Sequence, residues 1–293
     1  MAITAALVKE LRERTGAGMM ECKKALTDAD GNMDAAIEQM RKSGQAKADK
    51  KASRIAAEGT TAIASNGKQA VIIEVNCETD FVAKDDKFQN FSDQLAELVL
   101  ANDIASVDDL NATSMSGGQT VEETRLELVT KIGENIQVRR FEKLSSDANV
   151  ASYAHGKRIG VLVDHSGNDE VGKDIAMHIA ASKPLCVSAN EVPADLLDKE
   201  RDIAKAQAEA SGKPAEIIEK MVDGKVNKFL KESTLLGQPF IKDDNQTVEA
   251  YLKAANASVA KFIRYEVGEG LEKRSENFAD EVQKQIDDLK DKG

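Results

Sequence analysis

Apolar residues recur every three or four positions, in three runs, from Ile3 to Gly44. This spacing predicts three short helices, the last of which ends at Gly44. The polar stretch 45–54 that follows has no apolar anchor, so it is predicted to be a solvated linker, with a helical conformation left open. Helices and linker together predict a small N-terminal domain, 1–54.

The apolar period changes to two after Gly59. Asn66-Gly67 stands between the alternating runs Thr60–Ser65 and Gln69–Asn76. An Asn-Gly pair in this position favours a tight hairpin turn, because both turn positions then take a positive φ that these residues tolerate. The sequence therefore predicts an antiparallel hairpin followed by helices.

The hairpin pattern occurs a second time further along the chain. Gly67–Ile73 resembles Gly156–Leu162, and each segment is followed by a predicted helix and a closing strand. The simplest fold with this repeat is α+β, with two related subdomains, each a three-stranded antiparallel sheet with helices on one face. The predicted subdomains are 55–145 and, in two pieces, 146–187 and 233–268.

The second copy is interrupted by a predicted antiparallel helical hairpin at 188–232. Leu196, Ile203 and Ala210 lie seven positions apart on its first helix. The apolar stripe of a protruding hairpin either folds back on itself or pairs with a second copy of the chain. A homodimer through 188–232 is therefore one prediction. The last segment, 269–293, is predicted to hold a C-terminal helix.

The charge balance and the scarcity of aromatic residues argue against two classes of partner. The chain has 40 Lys and Arg against 51 Asp and Glu, a net charge of −11, with 4% aromatic residues and no Trp. Such a chain is unsuited to general binding of nucleic acid or of an anionic membrane surface. No apolar run approaches the roughly 18 residues of a membrane-spanning helix, and the first residues do not resemble a secretory signal. We predict no nucleic-acid partner, no membrane partner and a cytoplasmic location.

The cysteines and histidines form no familiar catalytic or metal-binding arrangement. Cys22, Cys77 and Cys186 are far apart and odd in number, which indicates free thiols in a reducing compartment. The sequence contains no phosphate-loop pattern, no Gly-x-Ser-x-Gly turn and no paired metal-ligand motif, and His178 is predicted to be a packing residue. We predict no catalytic residue, no metal and no cofactor. An enzyme with Cys77 or Cys22 as its nucleophile is the alternative.

An apolar side chain with charged neighbours follows the second strand of the first hairpin. Thr79 or Asp80 is suited to cap the helix that begins here, which places Phe81 in the first turn. Phe81, Phe88 and Phe91 are seven and three positions apart, a spacing that favours one buried helix face. The alternative is that Phe81 projects outward as an apolar anchor for a partner.

Several long motifs, in a fixed order, resemble those of the bacterial elongation factor Ts family over essentially the whole chain. They are LRERTGAGMM (11–20), CKKAL (22–26), EVNCETDFVA (74–83), KIGEN (131–135), HGKRIGVL (155–162), MHIAA (177–181), GQPF (237–240) and RYEVGEG (264–270). One departure is the polar segment 102–119, to which we assign no function. The resemblance implies a UBA-like N-terminal domain, a two-part core, a dimerisation hairpin and a C-terminal helical module.

The same resemblance implies a guanine-nucleotide exchange factor for elongation factor Tu, the GTPase that delivers aminoacyl-tRNA to the ribosome. Such a protein needs no nucleophile, metal or phosphate loop of its own. It binds the nucleotide-free partner more tightly than the loaded one, and by linkage it weakens nucleotide binding by the same factor. A scaffold that binds the GTPase without changing GDP release is the competing hypothesis.

The resemblance also implies which residues act. The residues that would disturb the partner's Mg²⁺ and phosphate site are Thr79, Asp80, Phe81 and Val82, with the Phe81 ring as a wedge between partner side chains. Further partner contacts are implied for Ile132, Gly133 and His155.

Overall fold

The computed structural model describes residues 3–15, 17–210 and 212–272. The fold is mixed α/β with small antiparallel sheets, as predicted. The predicted C-terminal helix, with its apolar stripe between Asn277 and Leu289, lies outside the described residues. The division of the chain into domains stays a prediction.

Three helices open the chain, and the third includes most of the predicted linker 45–54, for which the sequence leaves a helical conformation open. They are α1 (Ala5–Thr15), α2 (Met19–Asp28) and α3 (Met33–Ala52). The prediction that the third helix ends at Gly44 is wrong, because α3 continues for two more turns and packs on the helix α7 (Val121–Ile132). A Cβ atom at Gly44 would lie 3.2 Å from Thr130 Oγ1, so the glycine allows the close approach of the two helices. Ala48 is buried in the same contact region.

The first sheet holds the strands β1 (Glu58–Ser65), β2 (Gln69–Cys77) and β3 (Gln137–Ser145), in that order and antiparallel. The hairpin is confirmed, but its turn differs from the prediction. Only Gly67 has a positive φ, of 89°, whereas the Asn66 side chain accepts hydrogen bonds from the amides of Lys68 and Gln69. One face of β2 packs on the helices α5 (Asp86–Ala101) and α7. The short helix α6 (Val107–Ala112) comes between α5 and α7 in the sequence.

The second sheet holds the strands β4 (Asn149–His155), β5 (Ile159–His165) and β8 (Val259–Glu266), again antiparallel. Its outer face is covered by α8 (Asp169–Ser182) and α11 (Val248–Ala254), and the two-stranded β6 (Pro239–Phe240) and β7 (Asp243–Thr247) lie beside them. Its inner face packs on the first sheet through the side chains of Ala70, Ile72, Leu144, Val150, Leu162, Ile263 and Tyr265. The core therefore has a helical layer, two sheets and a second helical layer.

A buried carboxylate joins the two sheets. Glu74 on β2 has no exposed surface and accepts hydrogen bonds from Arg139, Arg140, Asn76 and the Gly268 amide, at 2.7 to 3.2 Å. Gly268 follows β8, so the bond from its amide connects the second sheet to the first. Burial alone would raise the pKa of Glu74, but these donors outweigh burial and the pKa is lowered.

The inserted hairpin consists of α9 (Ala194–Glu209) and α10 (Ala215–Ser233), which pack against each other. Ala204, Ala208, Val222 and Val226 form the buried seam. Of the two alternatives for the predicted stripe, folding back into this seam is wrong, because Ile203 is 51% exposed and Ala210 is also exposed. The helices pair through a neighbouring face that uses alanines, which let two helices approach closely. Pairing with a second copy of the chain stays a prediction.

His178 is a structural residue, as predicted. Its ring is fully buried, with Nε2 2.9 Å from Gln238 Oε1, and the Ile241 amide donates to Nδ1 at 3.2 Å. Because Nδ1 accepts, the neutral ring carries its proton on Nε2. Burial lowers the pKa of His178, and burial also lowers the pKa of His165.

These two histidines predict a stability that falls in mild acid. Each prefers the neutral form in the folded chain, so its contribution is complete above the unfolded-state pKa of about 6.5 and is lost as the pH falls below it. We expect the free energy of unfolding in urea to drop by on the order of 1 kcal/mol between pH 7.5 and pH 5.5. The variant His155→Gln, which lacks only an exposed ring, should show the same drop. Equal stability at both pH values would contradict the prediction.

Candidate functional site

A single helical turn, α4 (Asp80–Ala83), follows β2 and presents the predicted site residues. Thr79 caps it in an extended conformation, and Thr79 Oγ1 accepts a hydrogen bond from the Val82 amide at 3.4 Å. Val82 and Ala83 are buried in the first core. The turn is therefore attached to the core on one side and open on the other.

Phe81 occupies the open side and is 82% exposed. The prediction that it shares a buried face with Phe88 and Phe91 is wrong, although those two rings are in the core. The reason is a helix boundary: α4 ends at Ala83, and Asp85 caps α5 by accepting from the amides of Lys87 and Phe88. Phe81 and Phe88 therefore lie on two different helices, and their spacing of seven does not place them on one face. The alternative, that the Phe81 ring projects outward, is confirmed.

Asp80 lies beside the ring and is held by a neighbour one turn away. Its carboxylate is 2.7 Å from Lys84 Nζ, and this hydrogen bond lowers the pKa of Asp80. Both side chains are exposed, so the pair contributes little to stability. The ion pair places a negative charge, on Asp80, and a positive charge, on Lys84, close to the Phe81 ring.

Four residues, which we call the carboxylate clasp, join the start of this turn to the end of α7: Glu78, Thr79, Glu134 and Asn135. Glu134 Oε2 accepts from the amides of Glu78 and Thr79 at 3.0 Å, and Glu134 Oε1 accepts from Thr79 Oγ1 at 2.7 Å. In return, Glu78 Oε1 accepts from the Asn135 amide at 2.7 Å. Sequence reasoning missed Glu134, because 55 residues separate it from Thr79 and only the KIGEN motif drew attention to it.

Ile132 and Gly133 directly precede the clasp residue Glu134 in the chain. Gly133 ends α7 with a φ of 90°, a left-handed conformation that glycine adopts without strain. Lys51 at the end of α3 donates to the Gly133 carbonyl, and Ile132 is half-buried. Two of the predicted further contacts thus lie in the segment that meets the Phe81 turn.

His155 lies on the second sheet, at the end of β4, and its side chain is exposed. Its Nδ1 is 3.2 Å from the Tyr153 hydroxyl. The next residues, Gly156 and Lys157, line a cleft that Asp80 also lines. His155 itself does not line that cleft, but its turn borders the Phe81 site.

The two thiols of the alternative hypothesis are buried. Burial raises the pKa of Cys77 to about 12, so this thiol is not a nucleophile at neutral pH. Cys22 is fully buried, and its Sγ donates to the Ala17 carbonyl at 3.8 Å. All three cysteines are free, as predicted. Within residues 3–15, 17–210 and 212–272, no group of three acidic, His or Cys side chains is placed to hold a metal ion.

None of the helices in the described part of the chain combines the length and the apolar character that crossing a membrane requires.

The chain is similar to one set of bacterial proteins over almost its whole length. The family model described as Elongation factor TS matches residues 78–269. Elongation factor Ts of Methylococcus capsulatus is 59% identical over 290 residues, which cover 98% of this chain and 99% of the relative. Elongation factor Ts of Thioalkalivibrio sulfidiphilus is 60% identical, over 97% of this chain and 99% of the relative. Elongation factor Ts of Halorhodospira halophila is 55% identical, over 98% of this chain and 100% of the relative.

Proposed function

Because the chain belongs to the elongation factor Ts family, and so to the translation elongation factors, we propose that it promotes release of GDP from elongation factor Tu. The chain would act in the cytoplasm as a nucleotide exchange factor, by binding and without a catalytic residue or cofactor of its own.

The observation that carries this proposal is an aromatic ring held in solvent on a fixed turn. Phe81 is 82% exposed, while Val82 beside it is buried and Thr79 before it is held by Glu134. A solvent-exposed Phe on an ordered turn is the kind of anchor that enters a partner's pocket, and aromatic anchors of this kind supply much of the energy of protein interfaces.

The mechanism is one of linkage. A GTPase holds GDP through backbone amides around the phosphates and through a Mg²⁺ ion that bridges phosphate oxygens. If Phe81 enters between side chains near that site, the complex with empty GTPase is favoured over the complex with GDP, and GDP affinity falls by the same factor. Each tenfold faster release requires about 1.4 kcal/mol less barrier. We assign Phe81 as the wedge, Asp80 as a polar contact, and Thr79 and Val82 as the residues that hold the turn.

The remaining predicted contacts extend this surface. We propose that Ile132 and Gly133 meet the same face of the partner as Phe81, because the carboxylate clasp joins the next residue, Glu134, to the start of the Phe81 turn. We propose that His155 meets a different part of the partner, because it lies on the second sheet. Self-association through 188–232 is a further proposal and is independent of the exchange site.

The exposed His155 predicts a loss of affinity without a loss of stability. We expect His155→Ala to weaken the complex with elongation factor Tu by about tenfold, which is the size of one interface residue's contribution of about 1.4 kcal/mol. The dissociation constant from calorimetry checks this, with the urea midpoint as the control for folding. Unaltered affinity would remove His155 from the interface.

The direct test is release of fluorescent GDP from elongation factor Tu with and without this protein. An exchange factor accelerates release at substoichiometric concentration, because it leaves the complex when new nucleotide binds. A scaffold binds the GTPase, as seen by calorimetry, but leaves the release rate unchanged, and that result would refute the proposal.

A further inference from the structure

We propose that Glu134 is a positioning residue for Phe81, and that its carboxylate holds in place the turn from which the ring projects. The inference rests on the proposed exchange function and adds a residue to it. In this role Glu134 acts through Thr79 and the turn, and its effect requires no contact between Glu134 and the partner.

The turn needs an external support because it is too short to hold itself. α4 has only four residues, Asp80–Ala83. An isolated helix of that length is unstable, because forming its first turn costs the conformational entropy of several residues and gains only one hydrogen bond. Its cap, Thr79, is exposed and bonds to Val82 at a long 3.4 Å. Val82 and Ala83 attach the far side of the turn to the core. The direction in which Phe81 points depends in addition on what fixes the backbone at Glu78 and Thr79, where the chain enters the turn.

Glu134 provides that support with both carboxylate oxygens. Its three hydrogen bonds, to the two amides and the Thr79 hydroxyl, are 2.7 to 3.0 Å long. Bonds to an ionised acceptor are stronger than those between neutral groups. All three donors belong to the two residues directly before the helical turn, so the carboxylate sets the entry of the chain into α4.

The carboxylate is itself anchored on the side away from the turn. Asn135 is 1% exposed, and its side chain donates to the carbonyls of Ala52 and Arg54 at 3.4 and 2.8 Å. Its amide binds Glu78, which closes the carboxylate clasp. The Phe81 turn is thus connected through buried Asn135 to the end of α3.

A carboxylate suits this position because both of its oxygens accept hydrogen bonds. All three donors point at Glu134, and a carboxylate accepts from each without offering a donor. Glu134→Gln keeps the shape of the side chain but has one acceptor oxygen instead of two and no charge. Either the Thr79 hydroxyl proton or the two amides therefore lose their acceptor, and the bonds that remain are weaker. We therefore use Glu134→Gln as the test variant. Its control is Glu127→Gln, which removes the same charge from a half-exposed residue of α7 that binds Lys131 and Gln119.

The first experiment needs no partner and measures amide hydrogen exchange in the free protein. In Glu134→Gln, the amides of Glu78 and Thr79 are expected to exchange about tenfold faster, as the loss of one ordered backbone conformation implies. The amides of β2 should keep their protection, and Glu127→Gln should match wild type at both amides. Unchanged protection of Glu78 and Thr79 in Glu134→Gln would overturn the inference.

The second experiment measures GDP release from elongation factor Tu. Glu134→Gln is expected to lower the maximal release rate about tenfold and to change the half-saturating concentration less, because the rest of the binding surface is intact. In the Phe81→Ala background, Glu134→Gln should have no further effect, since its role acts through that ring. Losses that multiply in the double variant would show that Glu134 acts on the partner directly and would overturn the proposal.

The two experiments separate the inference from the function on which it rests. If wild-type protein fails to accelerate release, the proposed function fails, and hydrogen exchange still decides whether Glu134 orders the turn. If Phe81→Ala slows release and Glu134→Gln does not, the exchange function stands and the positioning role is refuted.

Discussion

Phe81→Ala is expected to slow GDP release from elongation factor Tu, the activity proposed for this protein, by about 10- to 100-fold, while the free energy of unfolding changes by less than about 0.5 kcal/mol. The ring is 82% exposed in the free protein, so its removal leaves no cavity in the core. An aromatic anchor buried in a partner contributes about 2 kcal/mol or more, which corresponds to a factor of about 30 in rate if the contact forms in the transition state.

Stopped-flow release of fluorescent GDP at saturating concentration measures the effect on Phe81→Ala. The matched control is Phe88→Ala, seven residues later, where the ring is fully buried. That variant should lose about 3–5 kcal/mol of stability through its cavity, yet release GDP at the wild-type rate per folded molecule. A wild-type release rate for Phe81→Ala would exclude the ring as the wedge.

Most of the strands and helices were predictable because their signals are local. Apolar residues alternate with polar ones on both sides of Asn66-Gly67, and a similar pattern occurs again at Gly156. These two patterns indicated the hairpin of the first sheet and the hairpin of the second sheet. The failures came where tertiary contacts decide. α3 passes through Gly44 because packing on α7 outweighs the roughly 1 kcal/mol cost of a helical glycine. Heptad spacing alone left open whether the stripe of α9 folds back, and the α9–α10 seam is instead set by close approach at Ala204 and Ala208.

The residues of the candidate site follow from the family resemblance and stay a prediction, whereas their geometry could not be predicted. The spacing of Phe81 from Phe88 indicated burial, and only the adjacent caps, Thr79 and Asp85, separate the two rings onto different helices. A closer reading of Asp85 as a second N-cap would have found that break. Glu134 could not be found in this way, because nothing in a local pattern shows that the end of α7 returns to the end of β2.

The buried carboxylate between the sheets predicts a large change in stability. Glu74→Gln removes the charge that Arg139 and Arg140 share at 2.7 to 3.2 Å, and it turns an amide NH₂ toward donors such as the Gly268 amide. Breaking a fully buried ion pair by changing one partner costs about 3–5 kcal/mol. Arg139 and Arg140 are 23% and 32% exposed, so we expect a loss at the lower end of this range, about 3 kcal/mol. The exposed pair Glu249–Lys253 gives the contrast, and Glu249→Gln should cost less than about 0.5 kcal/mol.

The pH dependence of unfolding separates loss of this charge from a general packing defect. The pKa of Glu74 is lowered in the folded chain, so its contribution is complete above its ordinary value of 4.5 and is lost as the pH falls through the lower folded-state value. Urea unfolding should therefore show a Glu74→Gln deficit that is largest near pH 7 and shrinks in acid, whereas a packing defect is the same at every pH. A deficit that does not vary with pH, or a variant as stable as Glu249→Gln, would contradict the role of Glu74 as the charged link between the two sheets.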